Sequence, residues 1–111
     1  MSMLTVVETP EFIRRSRSAG MTDEEKAELI SALAADPEAG ISLGGGLRKV
    51  RFARRGAGKS GGYRVIHFYS SRDMPLFLLT VFAKNEKANI SPTERAELIE
   101  LCDLIADTYG K

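Results

Sequence analysis

Apolar and polar positions along the chain repeat with two different periods. Leu4–Val7 is short and β-branched, which predicts a first strand. Thr9-Pro10 supplies an N-cap followed by proline at the first helical position, so a short helix is expected to run to about Ala19, with Gly20 closing it. Thr22-x-x-Glu25 is a capping box. Behind it Ala27, Leu29, Ile30, Leu33 and Ala34 keep helical spacing until Asp36-Pro37 stops them. Ala39–Gly46 reads as a glycine-rich loop. Leu47–Ala53 then alternates, with Leu47, Lys49 and Arg51 on one face and Arg48, Val50 and Phe52 on the other, as in a strand with one wet face. Arg55–Gly62 is a basic hairpin loop, Tyr63–Tyr69 a strand and Ser70–Pro75 a turn. Leu76–Phe82 is nearly all apolar, as expected of a strand covered on both faces. After a polar loop over Lys84–Asn89, Ser91-Pro92-Thr93-Glu94 opens a last helix with Leu98, Ile99, Leu101, Cys102 and Ile105 as its apolar stripe. The order β-α-α-β-β-β-α, with a three-strand antiparallel meander packed against helices, places the chain in the α+β class.

Length and composition bound this picture. The 111 residues suit one domain, 1–111, with a single core. One cysteine excludes an intramolecular disulfide and fits a reducing cytoplasm. One cysteine and one histidine supply no zinc set. No apolar run reaches the ~20 residues of a membrane span, and the first residues lack the pattern of a secretion signal.

Charge changes the picture more. The formal net charge is only +1, yet none of the 15 carboxylates lies in the 32 residues Ile41–Arg72. That segment carries Arg48, Lys49, Arg51, Arg54, Arg55, Lys59, Arg64 and Arg72, half of the 16 basic side chains. A segregated positive patch is the footprint of a polyanion partner, most commonly nucleic acid.

Residues Ala53–Ser60 satisfy a permissive phosphate-loop pattern, but that chemistry needs a helix directly after the Lys-Ser pair. Gly61-Gly62 and a β-rich run follow instead, so the segment reads as a hairpin tip carrying positive charge. The basic segment also lacks a carboxylate base and a histidine pair. RNA can still be cut by aligning a 2′-hydroxyl with the adjacent phosphate and stabilising the charge that builds there, a task that suits arginine. A lysine crowded by other cations can take part in proton transfer.

Arg64 stands out because it begins a strand just after Gly-Gly, where a side chain can reach a bound phosphate; the plainer alternative is a surface arginine paired with a carboxylate. Lys49 and Arg51 share a strand face, alternatively a merely solvated one. Arg54, Arg55 and Lys59 suit phosphate positioning. Lys84 and Lys87 sit just past the apolar strand, on the rim of the same face or in a solvated turn. His67 lies mid-strand and shares a face with Val65 and Tyr69, which favours a packed structural histidine. Tyr63 and Tyr69 can stack on bases or simply pack. Met74, Phe77 and Phe82 are assigned to the core or its edge.

The run GGLRKVRFARRGAGKSGGYRVIHFY, followed by LLTVFAKNEKANIS, resembles the RelE/ParE superfamily of type II toxin–antitoxin toxins, and most closely its HigB-like branch. The resemblance covers nearly the whole chain and implies a RelE-like fold. It implies a ribosome-dependent mRNA endoribonuclease that uses the RNA's own 2′-hydroxyl, with no metal or other cofactor. It implies a cognate helix-turn-helix antitoxin and the mRNA-bearing ribosome as partners. By position, Arg64 matches the arginine on the scissile phosphate. Lys49, Arg51 and Lys84 match basic site positions, and Arg48, Arg54, Arg55, Lys59 and Lys87 become RNA or ribosome contacts. The chain departs from RelE where Asn85 replaces an arginine and Ile90-Ser91 stands near a tyrosine. ParE-like toxins share this fold and inhibit DNA gyrase without cutting RNA, so a gyrase-type toxin and an inactive binding module stand as alternatives.

Overall fold

A computed structural model of the chain describes residues 4–53, 62–83 and 89–109. The elements in chain order are β1 (Val6–Glu8), α1 (Pro10–Ser18), α2 (Asp23–Ala35), β2 (Ile41–Gly44), β3 (Leu47–Ala53), β4 (Gly62–Phe68), β5 (Leu76–Ala83) and α3 (Pro92–Tyr109). They form one mixed sheet in the order β1-β5-β4-β3-β2. β1 runs parallel to β5, and every other neighbouring pair is antiparallel. The α+β architecture and the three-strand meander are those expected from the sequence.

The caps act as their residue types dictate. Thr9 accepts from the Phe12 N–H at the start of α1. Thr22 and Glu25 complete a reciprocal capping box on α2, and Ser91 and Glu94 do the same at the start of α3.

One element departs from expectation. Ile41–Gly44 is a strand, where the glycine-rich composition suggested only loop. Its pairing with β3 sets Ile41 opposite Lys49 and Ser42 opposite Arg48. The glycines make the turn rather than abolish the strand. Gly45 and Gly46 have φ of 62° and 86°, the left-handed pair that a two-residue hairpin turn requires. β1 also starts two residues later than its hydrophobic run.

The sheet buries apolar side chains on both faces. Phe12, Leu29 and Leu33 of α1 and α2 pack on Tyr63, Val65, Leu76, Leu78 and Val81. On the opposite face α3 brings Cys102, Leu98, Ile99 and Ile105 onto Leu47, Ile66, Phe68, Phe77 and Leu79. The run Leu76–Phe82 is apolar except for Thr80 because both layers need it. A register shift assists: Ile66 pairs with Thr80 while His67 pairs with Leu78, so Leu79 is one extra residue and turns toward α3. Met74, Phe77 and Phe82 are all buried, as expected.

Candidate nucleic-acid interface

Strand alternation sorts the basic side chains between these two faces. Leu47 belongs to the α3-side core, so Lys49 and Arg51, two and four residues on, share its side of the sheet. Ile66 and Phe68 belong to that core as well, which puts Arg64 on the same side. The register then aligns two rows across three strands. Arg51 lies opposite Arg64, and Arg64 opposite Phe82; one step further, Lys49 lies opposite Ile66, and Ile66 opposite Thr80. Lys49, Arg51 and Arg64 thus cluster on one open end of the α3 face.

The electrostatics of this cluster are unusual for a fold at rest. Directly opposed residues have Cβ atoms about 5 Å apart, where like charges destabilise a sheet. Among the described residues, neither Arg51 nor Arg64 makes a side-chain hydrogen bond or ion pair. Arg51 is exposed, while Arg64 and Lys49 are half-buried. Lys49 Nζ donates to Asn89 Oδ1 at 3.2 Å, just before α3. Two adjacent guanidinium forks with no carboxylate can take the non-bridging oxygens of one phosphate.

Arg48 goes elsewhere. It points to the opposite face, where Nε donates to the Ala39 carbonyl at 3.2 Å and Nη2 to the Gly40 carbonyl at 3.1 Å. Its role in the structure is to pin the α2–β2 connection. Gly40 fits there only as glycine, since its φ is +86° and a Cβ would lie 2.1 Å from the Lys49 carbonyl oxygen. Arg54, Arg55, Lys59, Lys84 and Lys87 lie outside the described residues. So does most of the Ala53–Ser60 segment, although the strand that begins at Gly62 agrees with rejecting a phosphate loop there.

His67 is fully buried on the α1/α2 face, and its Nε2–H donates to the Pro37 carbonyl at 2.9 Å. Burial holds its pKa below the ordinary histidine value, with Arg48 acting in the same sense and the Pro37 carbonyl and Asp36 opposing. Its Nδ1 is buried with no partner among the described residues. It is a structural histidine, as its mid-strand position suggested. Tyr63 is equally buried and donates to Glu25 Oε1 at 3.0 Å, so it is no platform for a base. Cys102 is packed under α3, and burial, with Asp103 nearby, pushes its thiol up to about 12.

Two residues at the edge of the cluster carried no signal in the charge pattern. Asn89 holds Lys49, and Arg95 grips the Leu43 carbonyl through both Nε at 3.1 Å and Nη2 at 2.5 Å, tying α3 to β2. Between them lies a surface groove of about 400 Å³. Its position was implicit in the Ser-Pro-Thr-Glu cap, because the residue just before a helix start sits at the mouth of whatever the helix covers.

A family model, the RelE toxin of the RelE / RelB toxin-antitoxin system, matches residues 4–110. The match spans nearly the whole chain, and the protein belongs to this family of toxins, whose members are paired with an antitoxin. No helix among the described residues is long and apolar enough to cross a membrane.

Proposed function

We propose that the protein is a ribosome-dependent mRNA endoribonuclease of the cytoplasm, nearest the HigB-like branch of its family and neutralised by a helix-turn-helix antitoxin. The observation that carries this reading is the Arg51–Arg64 couple beside Lys49, opposed across two strands and without a side-chain hydrogen bond or ion pair among the described residues. A fold that tolerates two facing cations is best explained by an anion that joins them in the working complex.

In the reaction the 2′-oxygen attacks the adjacent phosphorus and the P–O5′ bond breaks, giving a 2′,3′-cyclic phosphate and a 5′-hydroxyl. One proton leaves the 2′-hydroxyl and one reaches the departing 5′-oxygen. Arg64 and Arg51 hold the phosphate and stabilise the charge that develops on its oxygens. Lys49, oriented by Asn89, and Lys84 by family position are the candidates for moving protons.

The test is induction of the wild-type and Arg64→Ala chains in bacteria, with mRNA 5′ ends mapped within minutes. In-frame cuts within coding regions in the wild type alone are the expected result. Growth arrest with intact mRNA would move the protein to gyrase-type inhibition, and harmless expression would leave an inactive binding module.

A further inference from the structure

The groove beside the basic cluster has the chemistry of a base-binding site. Leu43, Ile90, Pro92 and Ile99 give it apolar walls, Ser91 and Arg95 add polar lining, and the exposed Ala96 stands on the rim. Its one amide side chain is Asn89. The Asn89 oxygen accepts from Lys49 Nζ at 3.2 Å and from the Ile90 N–H at 2.9 Å. Both neighbours are donors, so the oxygen side of the amide is fixed toward them and its two N–H donors are left without a partner among the described residues. Lys49 stands between this amide and the Arg51–Arg64 row, since two residues along a strand span about 7 Å. An apolar slot with fixed donors, next to a phosphate site, matches how single-stranded RNA is read: phosphates position the strand and splayed-out bases specify it.

We infer that this groove seats one nucleobase of the RNA strand whose phosphate rests on Arg51 and Arg64, with the Asn89 amide donating to an acceptor on the base edge. The inference rests on the nuclease reading for the identity of the strand. It adds a specificity site to that reading. Bases that present acceptors, such as guanine O6 or a uracil carbonyl, are preferred over the amino edge of cytosine or adenine.

Two variants test it. Ala96→Phe, at an exposed helical position, fills the slot without touching the core. Asn89→Asp keeps an acceptor for Lys49 and Ile90 and removes both donors. The probe is a set of short single-stranded oligoribonucleotides, made uncleavable by one 2′-deoxy sugar and carrying an abasic residue at each position in turn. The wild type should lose about 10-fold in affinity when one particular base is removed. Ala96→Phe should bind that abasic strand and its intact parent equally. Asn89→Asp should shift preference at the same position toward bases that present an amino group. Equal sensitivity to base removal in the wild type and Ala96→Phe at every position would overturn the inference. If the wild type shows the abasic effect yet cuts no mRNA on induction, the nuclease reading falls and the groove stands as an RNA-binding site.

Discussion

The two faces of the β3–β4 hairpin treat their polar side chains in opposite ways. Arg48, Tyr63 and His67 face α1 and α2, and each donates a hydrogen bond within the chain: to the Ala39 and Gly40 carbonyls, to Glu25 and to the Pro37 carbonyl. Arg51 and Arg64 stand on the α3 face of the same two strands, opposed to each other, with no such bond among the described residues. A buried polar group must be satisfied inside the fold or it destabilises the fold. A charged group left unsatisfied at a surface destabilises little and is available to a ligand. Arginines three residues apart on one strand therefore differ: Arg48 is held within the fold, while Arg51 has no such bond among the described residues and, on the proposed reading, is left for the RNA.

The sharpest way to break this contrast is Arg64→Ala. If Arg64 stabilises charge at the reacting phosphate, cleavage should fall by about 100- to 1000-fold. The thermal midpoint should hold or rise, because a repulsive cross-strand contact is removed. A variant that lost activity together with stability would make Arg64 a structural residue and erase the distinction between the faces.

Tyr63→Phe is the mirror experiment. It removes the bond to the buried Glu25 carboxylate and should lower unfolding free energy by about 1–3 kcal/mol in urea titration. RNA cutting per folded molecule should stay unchanged. Both tyrosine and arginine were conspicuous in the sequence, and their places on opposite faces of one strand separate their tasks.

That separation marks how much was legible beforehand. Caps and alternation located three helices and four of the strands, because those signals are local. The strand Ile41–Gly44 was hidden, since three consecutive glycines mask a pairing that depends on β3. Alternation alone also put Lys49 with Arg51 and set Arg48 apart. What it could not supply was the alignment of Arg51 with Arg64, a matter of hairpin register, nor the meeting of Lys49 with Asn89 across 40 positions of chain. Neither distance in the fold leaves a periodic trace in sequence.

His67 sharpens the comparison through pH. Its pKa is lowered in the folded protein by burial, while the unfolded chain titrates near the ordinary histidine value. Between those two values the unfolded state binds more protons, so stability is full above about pH 6.5 and declines as pH falls through the lowered folded value. The slope from this single proton is at most ~1.4 kcal/mol per pH unit. Urea midpoints measured from pH 7.5 downward should show the decline, and His67→Gln should flatten its onset.

The smallest expected effect is the most discriminating, because it has two signs. Arg51→Thr places a β-branched residue well suited to a strand opposite Arg64 and relieves the like-charge pair. The fold should gain roughly 0.2–1 kcal/mol. The same change removes one cation from the phosphate site, so RNA affinity should drop and the slope of log affinity against log salt should become shallower by ~0.7. A surface arginine with no role would change neither quantity in this paired way, and a structural one would lose stability. Gain in stability with loss of salt-dependent binding is the outcome that only a ligand-directed arginine produces, for the repulsion it imposes on the free fold is the same property that attracts the phosphate.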